Sequence, residues 1–178
     1  MGRGTQVDAK PGSPLATAGL CRAGEAVPLL AGPVGADLVA GPERTGGALS
    51  FVLHTLAPRA LGSPVHTHRH EDEYSYVLAG TVGVQLGDTE VLAHPGDLVS
   101  KPRGVPHAFW NAGAEPARLL EVITPAGFEG YFRALAGLFT GEGPPELGGL
   151  AAIAADYDLE VDPASVPALA ERHGLVLE

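Results

Sequence analysis

The chain has 178 residues, enough for one domain around a single core and too few for two well-buried ones. Apolar residues make up 45% of it and fall in short runs, far below the ~20 consecutive residues of a membrane-spanning helix, so no membrane span is expected. The 21 acidic residues outweigh 11 basic ones for a net charge of −10, and the basic residues are scattered singly, which argues against a nucleic-acid partner.

Residues 1–25 mix Gly, Pro and polar residues without the apolar stretch of about 7–15 residues that a secretory signal needs, so they are read as a flexible arm and a cytoplasmic location is expected. Cys21 is the only cysteine. No intrachain disulfide can form, and any metal must be held by His and carboxylates. Nine Arg against two Lys, with abundant Ala and Gly, suggest a GC-rich bacterial genome. The 25 Gly and 16 Pro recur between short apolar segments, which is the turn punctuation of an all-β chain.

Strand-like pieces follow one another at 36–40, 48–57, 74–80, 81–86, 89–94, 97–101, 107–111 and 117–124. Strands this short and this regularly spaced predict a sandwich or barrel. Ala79-Gly80 and Gly87-Asp88 mark two hairpin turns, because Gly readily supplies a positive φ. After Thr124 the period lengthens. Phe128, Phe132, Leu135 and Phe139 fall on one helix face, with Pro125 and Gly127 at its beginning. The Gly and Pro residues of 141–149 interrupt that helix, and 150–159 and 163–175 predict two shorter helices joined by Asp158 to Asp162. The domain plan is therefore an arm (1–25), a barrel (26–125) and a helical extension packed on it (126–178).

Chemistry concentrates in four residues. His66 and His68 are two apart, so on an extended strand both side chains leave the same face and can grip one ion. Glu73 follows after a distance that lets the chain turn and bring its carboxylate back, and His107 on a neighbouring strand supplies a fourth donor. His70 continues the alternation and competes as a ligand, while Glu71 and Asp72 compete with Glu73. Three imidazoles and one carboxylate leave open positions on a five- or six-coordinate metal, which suits a reactive site better than a closed structural one.

These stretches resemble the two motifs of the cupin superfamily. In the first, His66, one residue, His68, four residues, Glu73, six residues and Gly80 reproduce the pattern; its opening glycine is replaced by Ala60, with a glycine at Gly62 instead. The second matches throughout: Gly96, Pro102, Gly104, His107 and Asn111. The resemblance, firm from Ala60 to Asn111, implies a cupin (jelly-roll) β-barrel with peripheral C-terminal α-helices. It also implies His66, His68, Glu73 and His107 as ligands of one divalent transition metal per chain, with Fe, Ni, Mn, Co, Cu and Zn all acceptable to the donor set.

The stretch from Pro125 to Leu135 is similar to the helix after the barrel in small cupins related to bacterial quercetin dioxygenases. That resemblance implies dioxygenase chemistry on a small-molecule substrate, with Glu73 as both ligand and general base. Rival expectations are a metal-dependent isomerase or cyclase of a small-molecule pathway, and a non-catalytic ligand-binding cupin. Phe109, which shares a face with His107, is the first pocket candidate, with Tyr76 and Phe51 beside it. His54, His94 and His173 are read as structural, and His70 as a rim residue. A homodimer is expected, since an open sheet edge needs covering.

Overall fold

The computed structural model describes residues 19–22, 24–138 and 147–177. Most of the arm 1–25 lies outside them, as does Phe139 of the expected helix. Among the described residues, eleven strands and four helices succeed one another in the order β1 (Val27–Leu30), β2 (Val34–Ala40), α1 (Pro42–Thr45), β3 (Ser50–Leu56), β4 (Val65–His68), β5 (Asp72–Ala79), β6 (Val82–Leu86), β7 (Thr89–Ala93), β8 (Leu98–Lys101), β9 (His107–Asn111), β10 (Ala117–Thr124), α2 (Glu129–Leu138), α3 (Leu147–Asp156), β11 (Leu159–Asp162) and α4 (Ser165–His173). The strands make two antiparallel sheets, β1-β2-β3-β10-β5-β8 and β11-β4-β9-β6-β7. The architecture is all-β, a jelly roll with helices at its periphery. No helix among the described residues is long and apolar enough to cross a membrane.

The two sheets meet through side chains that alternate inward along each strand. Leu56, Val77, Val84, Phe109 and Leu119 form one buried cluster between them. Leu38, Val52, Ile123, Phe128 and Leu159 form a second, which α2 and α3 cover. Each fully buried Leu, Val or Phe contributes roughly 1.5–3 kcal/mol.

Both expected hairpin turns carry a left-handed glycine, Gly80 at φ 76° and Gly87 at φ 56°. Gly80 is required twice over: a Cβ there would stand 2.7 Å from the Ala117 Cα on β10. Asn111 is fully buried and closes the loop after β9, its amide nitrogen donating to the carbonyls of Leu56, Ala57 and Glu115 and its oxygen accepting from the Gly113 N–H. Asn111 is thus a structural member of its motif.

The C-terminal segment departs from expectation. Residues Leu159–Asp162, read as a link between helices, form a strand that pairs with β4 along its length, Leu159 opposite His68 and Val161 opposite His66. The alternation Leu-Glu-Val-Asp drives this, since it buries Leu159 and leaves Glu160 outside. Helix α3 also begins earlier than the glycine content of 141–149 suggests, taking in Gly148 and Gly149. The extension is therefore partly woven into the sheet.

Candidate metal centre

Period-two geometry on β4 buries His66 and His68 on one face, and antiparallel pairing sets His107 of β9 directly opposite His66. The chain then crosses to the other sheet, where the first inward position of β5 is Glu73. One ligand atom from each of His66, His68, Glu73 and His107 lies within 4.8 Å of all the others, and all four residues are buried. Of the competitors, Glu71 lies against His68 Nδ1 at 3.4 Å without joining the four-residue cluster, and the other two are elsewhere. His70 is exposed and bonds Asp158 at 3.1 Å, and Asp72 takes a bidentate contact from Arg103.

Two of the imidazoles are preset for coordination. His66 Nδ1 donates to the Pro64 carbonyl and His107 Nδ1 to the Val105 carbonyl, each at 2.9 Å, which turns the Nε2 lone pairs toward the centre. Burial and the nearby His107 push His66 down to about 3, so it stays neutral as a ligand must. His68 is fully buried, and neither of its ring nitrogens makes a hydrogen bond.

Glu73 and Glu71 oxygens stand 3.3 and 3.4 Å from those nitrogens, in close polar contact but off ideal hydrogen-bond geometry. Burial disfavours charge on His68, yet these two carboxylates outweigh it and lift the ring to about 9. A buried imidazole with both nitrogens unpartnered, inside a cluster of two further imidazoles and a carboxylate, is arranged as a cation ligand would be. The donor set fits a divalent cation.

Behind the ligands lies an ion network that the sequence reading did not anticipate. Lys101, 1% exposed, places Nζ 2.8 Å from Glu73 Oε2 and 2.8 Å from Glu121 Oε2, and Ser75 Oγ donates to Glu121 at 2.7 Å. Burial opposes charge on Glu73, yet the Lys101 ammonium and the His107 and His68 rings hold its carboxyl well below the usual carboxylate range. Burial pushes the Glu121 carboxyl up. The signal was present: Lys101 follows the inward Val99 on β8, and Glu121 lies between the inward Leu119 and Ile123 on β10.

Beside the cluster a cavity of about 120 Å³ is lined by His54, His66, Phe109, Phe128, Tyr131 and Phe132, among others. His66 alone of the four clustered side chains reaches its wall. Phe109 is part of the wall as its position on β9 predicts, and Gly62 lies so close to the Phe109 ring that no Cβ fits there.

Tyr76 and Phe51 do not line this cavity. On β5 the inward residues are Glu73, Ser75 and Val77, and on β3 they are Ser50, Val52, His54 and Leu56, so both aromatics leave the opposite face. Tyr76 is 42% exposed. It stands in an apolar row across the outer face, Leu98, Tyr76, Leu120 and Leu53, each opposite the next in register. His54, read as structural, is the inward residue that does meet the cavity.

Residues 52–123, from β3 to the end of β10, match the family model described as a cupin domain. No curated protein matches the chain. Among solved structures, a predicted oxalate decarboxylase from Thermotoga maritima is 23% identical and aligns over 60% of this chain and 98% of its own, with a TM-score of 0.54. KdgF from Halomonas sp. is 24% identical over 53% of this chain and 81% of its own, at a TM-score of 0.47. TT1209 from Thermus thermophilus is 30% identical over 56% and 81%, at 0.42. With the family's motif residues gathered at one buried centre inside two antiparallel sheets, residues 52–123 form a cupin domain.

Proposed function

We propose that this protein is a metal-dependent enzyme acting on a small organic substrate, with dioxygenase-type, quercetinase-like chemistry as the specific version. The observation that carries the reading is the shared position of His66, at once a member of the ligand cluster and part of the wall of an apolar cavity. A substrate seated there lies beside the cluster while Phe109, Phe128 and Phe132 exclude water. A divalent transition metal would supply Lewis acidity at the site and, where redox-active, electron exchange with O₂.

The residues divide the remaining work. His66, His68 and His107 would hold the ion. Lys101 occupies Glu73 Oε2 and leaves Oε1 as the free ligand oxygen, and Glu73 is the acceptor for a substrate hydroxyl proton. The same 2.8 Å ion pair favours a second reading, because an ammonium on Oε2 competes with any proton for that carboxylate. Under it Glu73 is a ligand only, and the enzyme is an isomerase or cyclase that consumes no O₂.

Elemental analysis is expected to find about one divalent metal per chain, as purified or after reconstitution with Fe, Ni, Mn, Co, Cu or Zn. O₂ uptake should then appear with flavonols or with other catechol-like or enediol compounds, which can chelate through adjacent oxygens. Absence of stoichiometric metal in every case would overturn the enzyme reading. Turnover that proceeds without O₂ would select the isomerase.

The proposal includes a homodimer. The outer row of Leu98, Tyr76, Leu120 and Leu53 is apolar along its length and so complements a copy of itself across a two-fold axis. Light scattering at micromolar concentration should give twice the chain mass, and a monomeric mass refutes the pairing.

A further inference from the structure

His54 is a polar side chain in apolar surroundings with half its hydrogen-bonding capacity unused. The alternation of β3 turns it inward, where it is 3% exposed and packed against Phe109 and Phe132 at ring-centroid distances of 5.7 and 5.3 Å. Nδ1 lies 3.2 Å from the Gly35 carbonyl oxygen. A carbonyl only accepts, so the ring proton resides on Nδ1 and Nε2 carries the lone pair. Nε2 has no donor among the described residues, and it is the ring nitrogen left for the cavity that His54 lines. Burial, with Lys101 nearby, lowers the imidazole to about 4, so Nε2 remains an acceptor at neutral pH.

An acceptor with no donor among the described residues, on the wall of a space with aromatic sides, is the mark of a site that takes a donor from a ligand. We propose that His54 anchors the substrate, its Nε2 accepting a hydrogen bond from the hydroxyl of a single-ring aromatic or enolic molecule whose ring packs among Phe109, Phe128 and Phe132. This rests on the small-substrate enzyme reading above and narrows its substrate class. The cavity is of the size that admits a benzene-like ring, with the His54 acceptor and the His66 ligand both on its wall and the Ser63 and Tyr131 hydroxyl-bearing side chains beside them. Molecules lacking an O–H or N–H at the position facing His54 are discriminated against.

The experiment compares phenol with benzene as probes, by calorimetry, in the wild-type protein as purified and in His54→Leu. The ratio of phenol to benzene affinity is expected to fall roughly threefold to tenfold in the variant, with benzene binding retained. The comparison is repeated after chelation of metal. If the wild-type ratio collapses on chelation, the hydroxyl was directed at the metal and the proposal is wrong. An unchanged ratio in His54→Leu overturns it equally.

A measurement on the wild type alone covers the case in which the variant does not fold: the ¹⁵N resonance of His54 Nε2 should move on adding phenol and stay in place with benzene, and a resonance indifferent to phenol refutes the anchor. Neither readout needs turnover. Loss of the enzyme reading and loss of the anchor are therefore separately visible.

Discussion

Replacing His107 by Ala is expected to remove metal and turnover together, whereas Glu73→Gln should keep most of the metal and lose ~10²–10⁴ of the rate. The difference follows from what each substitution leaves behind. His107 is fully buried and presents Nε2 from β9, and Ala deletes that donor outright. Gln at Glu73 keeps an oxygen within reach of the cluster, three imidazoles remain, and Lys101 retains its bond to Glu121. An amide oxygen ligates weakly but does not take a substrate proton at neutral pH. Metal content by elemental analysis and turnover should thus diverge in one variant only. If Glu73→Gln retains metal and near-wild-type turnover, the base role is wrong and the isomerase reading gains.

Lys101→Met should be the most damaging single change to stability among the interior residues that are not ligands. It removes the one cation that pairs Glu73 and Glu121, and leaves two carboxylates facing each other away from water. Removing one partner of a buried ion pair costs about 3–5 kcal/mol. For a chain of this size that is a fall in Tm of roughly 6–20 °C. Two controls identify the cause. Adding a divalent metal should recover part of the loss, since its charge faces Glu73 and it binds only the folded state. Introducing Glu121→Gln in the same chain should recover more, because the repelling carboxylate is gone. A melting temperature for Lys101→Met within about a degree of wild type would show that the network contributes little.

The clustered candidate ligands were legible because metal chemistry asks for both residue type and spacing: two His at a strand's period, a Glu after a turn, and a third His four residues before Asn111. The pocket was less so. Counting in twos from Glu73 reaches Ser75 and Val77 and passes over Tyr76, so the outward face of Tyr76 was already implied by its own ligand strand. Phe51 was harder. On β3 both faces are apolar, Phe51 and Leu53 on one and Val52 and Leu56 on the other, and hydrophobicity alone does not say which looks inward. His54 decides it only once its burial is known. β11 was missed because four residues between two helices read as a connection, and its partner β4 lies about 90 residues earlier in the chain, beyond any local pattern. Lys101 and Glu121 were passed over as single charges, although each stands at an inward position.

The pairing of β11 with β4 has a consequence for the order of events during synthesis. β4 carries two of the four ligands, yet it meets β9 only where His66 faces His107, and its full-length neighbour is β11. A ribosome that has released His107 has delivered every ligand, but the strand that flanks His66 and His68 is still to come. At about 5–20 residues per second, several seconds pass before Asp162 follows. Throughout that interval β4 presents an open edge with two imidazoles on it. The nascent chain therefore holds a complete set of donors before it holds a complete site, and metal that arrives early meets ligands not yet fixed in place.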